Sequence, residues 1–155
     1  MRNSFRRSGR AVLALAAFAL AILLAHDVRS DDKAASKPGP FEGAWKQVSQ
    51  KNGDAKEYQE LDGVEFVDLV TGGRFVWTMV RDGKLLGSAG GRCKVEGGKY
   101  IEIIEFVHGD GVPASFVGST FEFTGEVDGD KWHKVGTIQV NGQDYKIDEK
   151  WERCK

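Results

Sequence analysis

A chain of 155 residues is one domain's worth, and its first thirty residues read as something other than that domain. Twenty-two basic and 23 acidic residues give a formal charge of −1. With no basic run after the opening segment, the sequence offers no electrostatic grip on nucleic acid or on anionic lipid.

Residues 1–30 have the shape of a signal peptide. MRNSFRRSGR carries positive charge and no acid, and the unbroken apolar run AVLALAAFALAILLA follows it. As a helix that run would rise only about 22 Å, short of the ~30 Å hydrocarbon core, so cleavage is favoured over a retained anchor. Cleavage fits after Ser30, with Ala25 as the alternative, and the absence of a nearby Cys argues against a lipid anchor. Arg6-Arg7 invites a twin-arginine reading, although Ser8-Gly9-Arg10 lacks the apolar residue expected soon after such a pair. A cut at Ser30 removes five bases and one acid and leaves a mature charge of −5. The expected location is therefore exported, periplasmic or extracellular, with no membrane contact once the signal is gone.

Residues 31–40, DDKAASKPGP, mix charge, Ala, Ser and two prolines without periodicity and read as a flexible linker. The folded domain is expected over 41–155. Turn dipeptides punctuate it at nearly regular intervals: Asn52-Gly53, Asp62-Gly63, Gly72-Gly73, Asp82-Gly83, Gly97-Gly98, Asp128-Gly129 and Asn141-Gly142. Between them lie short runs rich in Val, Ile, Phe, Thr and Trp, with no sustained helical period.

Several runs alternate. Phe75, Trp77 and Met79 share one face. Val117, Phe121, Phe123 and Val127 share another, and Tyr145, Ile147, Trp151 and Arg153 a third. Tight turns and sequential order predict an all-β antiparallel up-and-down meander of about eight strands, closed into a barrel that leaves no exposed edge.

Cys93 and Cys154 are the two cysteines, and an exported chain meets oxidising conditions. A disulfide between them would close about sixty residues and stabilise by roughly 4 kcal/mol. Their opposite alternation suggests opposite faces and two free thiols instead. Both readings stand at this stage.

Gly43-Ala44-Trp45 on the first strand and Trp151-Glu152-Arg153 on the last resemble the lipocalins. The segments "GGRFVWTMV", "GKLLGSAGGRCKV", "KYIEIIEF", "KWHKVGTI" and "EKWERCK" extend the likeness to compact lipocalin-like domains of secreted bacterial proteins. The resemblance implies that Gly43, Trp45 and Arg153 close the barrel base, with the guanidinium packed across the indole. It also implies a ligand cup at the other end. Two departures from the family are a chain that stops just after Arg153, without the usual helix, and Cys93 at a place where an aromatic or polar residue is expected.

Glu102 and Glu105 lie in a run apolar on both faces, so one of them must face the interior. Glu102 shares its face with Tyr100, Ile104 and Phe106, and Glu149 shares its face with Tyr145, Ile147 and Trp151. A carboxyl in such company is costly to ionise unless paired. Arg74, Arg92 or Arg153 could neutralise it with help from a Tyr; alternatively it orients a ligand. The candidate ligand-binding set is Phe75, Trp77, Met79, Tyr100, Glu102, Phe121, Phe123, Tyr145 and Glu149, although such aromatics can simply fill a narrow barrel.

His108 with Asp110 in "HGDGVP" lacks a metal-ligand spacing, and His133 reads as a surface or interface residue. No nucleophile motif, catalytic set or phosphate-binding loop is found, and no cofactor is implied.

Three functions compete. The first is a non-catalytic module holding a small apolar or amphipathic ligand, which predicts a connected cavity of at least ~300 Å³. The second is a filled barrel whose surface or loops, such as residues 109–115, meet a protein partner or a second copy. The third is an enzyme with Glu102, Glu105 or Glu149 as general base, disfavoured for want of a second catalytic group.

Overall fold

The structure, a computed structural model, describes residues 39–155 except 52, 54 and 141. The signal peptide and nearly all of the linker lie outside the described residues. Eight strands follow in order: β1 (Gly43–Gln50), β2 (Val64–Thr71), β3 (Arg74–Arg81), β4 (Lys84–Glu96), β5 (Lys99–His108), β6 (Thr120–Asp128), β7 (Lys131–Val140) and β8 (Gln143–Arg153). Each pairs antiparallel with its sequence neighbour, and β1 pairs with β8, so the meander is a closed barrel. Apart from strands the described chain holds two short 3-10 turns, Gly39–Phe41 and Ala114–Phe116. The all-β barrel expected from periodicity is what forms.

Five of the seven turn dipeptides make hairpin turns. The other two, at Gly53 and Gly63, fall in one long connection between β1 and β2, tied to the barrel by a lone bridge between Gln50 and Gln59. At one end of the barrel the connections are tight, at Gly72-Gly73, Gly97-Gly98 and Gly129-Asp130. The other end carries the two long ones, residues 51–63 and 109–119.

Period-two alternation positions the interior. In β6 it is clean: Phe121, Phe123, Gly125 and Val127 are more buried than the residues between them. Val117, expected on that face, lies before the strand and is 51% exposed. In β5, Tyr100, Glu102 and Ile104 are buried as expected, but Phe106 is 47% exposed. The register explains the change: Gly90 pairs with Phe106 and Gly91 with Ile104, so Glu105 is an extra residue that reverses the faces beyond it. Val107, not Phe106, then packs against the core.

β4 accepts this bulge because Gly90 and Gly91 have no side chains. A Cβ on Gly91 would run into the Ile103 carbonyl, and one on Gly90 into the Phe106 ring. Similar register shifts occur in β1 between Gln47 and Ser49 and in the β3–β4 pair beyond Met79.

The tight end is filled. Trp132 stands at its centre, with ring centroids 5.3 Å from Phe41, 5.6 Å from Trp45, 5.2 Å from Tyr100 and 5.8 Å from Trp151. Aromatic pairs of this kind each add about 0.5–1.5 kcal/mol beyond area burial.

Trp45 donates its Nε1–H to the Phe41 carbonyl at 2.7 Å, and the Arg153 guanidinium lies 4.1 Å from the indole centroid. Arg153 also donates to the Glu42 carbonyl at 2.6 Å. The glycine of the Gly-X-Trp triplet has a direct cause: Gly43 sits at φ +138, and a Cβ there would collide with Arg153 Nη1.

Cys93 is buried, Cys154 is exposed, and both are free. The disulfide reading is therefore replaced by the two-thiol reading, as their opposite alternation suggested. Burial pushes the Cys93 thiol up to about 11, so it stays protonated.

Candidate functional site

Above the aromatic plug the barrel is hollow. A cavity of about 180 Å³ is lined by Phe66, Trp77, Phe116, Phe121, Phe123, Ile138, Ile147 and Trp151, with Gln47, Glu102, Lys134 and Glu149 as its polar groups. One of these comes from outside the strands: Phe116 is carried in by the 3-10 turn of the long β5–β6 connection, and its ring stacks edge-on to Phe121 of β6 at 5.0 Å. Val112 of the same connection is also buried, so this loop, which the filled-barrel alternative offers to a partner, packs in part on its own barrel. The volume is well below the ~300 Å³ expected of a drug-sized pocket.

Of the nine residues expected to bind a ligand, five line the cavity: Trp77, Glu102, Phe121, Phe123 and Glu149. Phe75 and Tyr100 are buried in the core and do not line it. Met79 does not line it either; its methyl lies beside Gly87 of β4 and Gly111 of the β5–β6 connection. Tyr145 alternates with Ile147 as expected but is 56% exposed and off the lining; it lies in the part of β8 past its pairing with β1, which ends at Gln50 opposite Glu149.

The polar floor is a cluster of acids around one base. Lys134 Nζ lies 2.6 Å from Glu102 Oε1, both almost wholly buried. The ammonium is also 4.2 Å from the Phe123 centroid and 5.3 Å from that of Trp132. Desolvation opposes its charge, but Glu102, Asp68 and Glu149 outweigh this and raise the Lys134 pKa, so it remains a cation.

The arginines expected to neutralise Glu102 do other work. Arg74 and Arg92 pair with Glu105 on the outer surface at 3.0 and 2.6 Å, and Arg153 stays at the base. The strand turns Glu105 outward while Glu102 faces inward, so the guanidiniums could not reach it.

Two further carboxyls complete the cluster. Glu149 accepts the Trp151 Nε1–H at 3.1 Å, and burial raises its pKa against the opposing pull of Lys134 and that hydrogen bond. Asp68 is fully buried between Phe66 and Val70 on the inward face of β2, and neither of its oxygens has a partner. Burial pushes its carboxyl up to about 8, with Lys134 opposing and Glu102 and Glu149 adding to the shift. At neutral pH it is chiefly a neutral acid. Burial likewise lifts Tyr100 well above the usual phenol range.

Sequence reasoning passed over Lys134 and Asp68, although each carries the signal that exposed Glu102. In KWHKVGTI, Lys134 alternates with Trp132 and Ile138, and in VEFVDLV, Asp68 alternates with Phe66 and Val70.

On the outside of β7 and β8, His133 Nε2 lies 2.8 Å from Asp148 Oδ1, and the Tyr58 hydroxyl donates to the same oxygen at 2.6 Å. His133 is therefore a surface residue held in a network. No group of three or more His, Cys, Asp or Glu with metal-holding geometry occurs among the described residues.

No family model and no curated protein matches this chain. Among solved structures it is similar to an uncharacterized protein from Bacteroides eggerthii DSM 20697, at 15% identity and a TM-score of 0.42, covering 70% of this chain and 98% of that one.

Proposed function

We propose that this domain is an exported, non-catalytic binding module of lipocalin-like type, whose cup takes one small molecule with an apolar body and a polar end. The observation that carries this reading is the cavity's make-up, not its size, which falls short of the ~300 Å³ expected and limits the ligand to a small one: aromatic and aliphatic walls over a floor of buried, mutually interacting acid and base groups. Small-molecule sites combine those two features, predominantly apolar walls and a few placed polar groups. The indole plug under Arg153 supports the lipocalin-like comparison, because it closes one end and leaves the other to admit a ligand. A barrel serving only as a surface for partners would have no reason to keep this interior hollow, and the filled-core reading describes only its lower half.

Native mass spectrometry of protein purified from its own host is the direct test. A stoichiometric small-molecule adduct, lost on denaturation, is the expected result. A ligand at a hundred times its Kd should stabilise the fold by about 2.7 kcal/mol. An adduct-free spectrum, together with a flat thermal-shift screen over small amphipathic molecules, would refute the binding reading.

A further inference from the structure

We propose that the cup selects a small organic cation: a molecule with a flat apolar body and one protonated amine, whose ammonium sits against the Glu149 carboxyl on the cavity floor. The inference rests on the binding reading above and names the ligand class for the same site.

The charges facing the floor decide the sign. β2 contributes Asp68, β5 contributes Tyr100 and Glu102, β7 contributes Lys134 and β8 contributes Glu149, with the Cys93 thiol of β4 near Tyr100 and Asp148 on the outer face behind Glu149. Lys134 and Glu102 form a contact pair and cancel. Two carboxyls remain, Glu149 on the cavity wall and Asp68 below it, and no protein cation is paired with either among the described residues. Gln47, the other polar wall group, gives its amide to Gln50 at 3.0 Å.

An anionic ligand would enter a site whose one ammonium is already engaged and enclosed by rings. A neutral ligand would leave Glu149 and Asp68 as burial leaves them, with nothing to favour a carboxylate over the acid. A cation supplies the counter-charge that lets the Glu149 carboxyl ionise, and Trp77, Phe121, Phe123 and Trp151 line the same cavity with aromatic rings, whose faces attract a cation. The exchange balances: the ammonium keeps its proton, any proton that burial holds on the Glu149 carboxyl leaves to solvent, and the product is an ion pair.

Three probes sharing one phenylethyl body separate the possibilities by calorimetry: 2-phenylethylamine, 2-phenylethanol and 3-phenylpropionate. The amine should bind roughly tenfold tighter than the alcohol or better, since a charge-assisted hydrogen bond is about twice as strong as a neutral one, and the carboxylate should bind weakest. Repeating the titrations from about pH 5 to about pH 8 should show the amine gaining on the alcohol as pH rises, because burial favours the protonated Glu149 carboxyl and a bound ammonium favours its carboxylate. Glu149→Gln should bring amine and alcohol within about threefold of each other.

Equal affinity for amine and alcohol, or tightest binding of the carboxylate, overturns the cation assignment while the binding reading survives. Failure of all three to bind, with a clean native spectrum from the host protein, overturns both. If Glu149→Gln does not fold, the pH dependence of the parent protein decides the matter alone: an amine-to-alcohol affinity ratio that does not rise with pH overturns the assignment.

Discussion

Asp68 is a carboxyl held where its charged form is unfavourable, and that makes its protonation a property of the fold. In the unfolded chain it titrates near pH 4, while in the native barrel burial holds it up to about 8. Between those values the native protein keeps a proton that the unfolded chain has released, so stability falls as pH rises across the window, by up to ~1.4 kcal/mol per unit. Asp148 works in a separate window: Tyr58, His133 and Lys51 overcome its partial desolvation and hold it at about 2, so what it contributes is lost only as acid approaches that value. Asp68→Asn should therefore raise the urea midpoint near pH 8 and leave it almost unchanged near pH 4. A smaller slope should persist, because Glu149 is raised in the same direction. Equal midpoints for variant and parent at both pH values would show that Asp68 is not protonated in the native state. This residue also shows what was legible in the chain. Glu102 and Glu149 stand out as acids in apolar alternation, whereas Asp68 and Lys134, placed the same way, become meaningful only when the barrel closes and brings β2, β5, β7 and β8 round one axis.

At the scale of a strand, alternation predicts a face until something inserts a residue. β6 runs without interruption, and its inward pair Phe121 and Phe123 could be read directly from the sequence. β5 could not be read to its end, because nothing local in KYIEIIEFVH marks Glu105 as an extra residue; the cause lies across the sheet in Gly90-Gly91 of β4. That glycine pair lets two backbones approach and bends the long strand. Gly91→Ala places a methyl against the Ile103 carbonyl, and neither backbone can yield without disturbing the ladder. The expected loss is about 2 kcal/mol, within the range for overpacking. Gly97 and Gly98, by contrast, sit at φ +59 and +77 with open space around them. Alanine there should cost about 1 kcal/mol through backbone strain alone. Denaturant titration of the two kinds of variant checks the ordering. A Gly91→Ala protein as stable as its parent would mean that the bulge tolerates a side chain and that its glycines are incidental.

For the molecule as a whole, closure is the step on which the cavity depends, because the walls of the cup come from strands at both ends of the chain. β1 and β8 pair from Trp45 opposite Arg153 to Gln50 opposite Glu149, and the Cys154 amide adds a 2.8 Å bond to the Ala44 carbonyl. These contacts span more than a hundred residues, so their loop entropy is met late in folding and must be offset by strong local packing. Trp45 supplies that packing. It is fully buried against Trp132 and covered by Arg153. Trp45→Ala should cost about 3–5 kcal/mol. Arg153→Met keeps the apolar cover but loses the cation over the ring and the donors to Glu42 and Pro40; its cost should be nearer 1–2 kcal/mol. The two losses should also differ in place. Removing the guanidinium should speed amide exchange mainly along the β1–β8 seam, whereas removing the indole should do so around the whole lower barrel through Trp132. Seam amides that exchange no faster in Arg153→Met than in the parent would show that hydrogen bonding between the strands holds the barrel shut without its cationic cover.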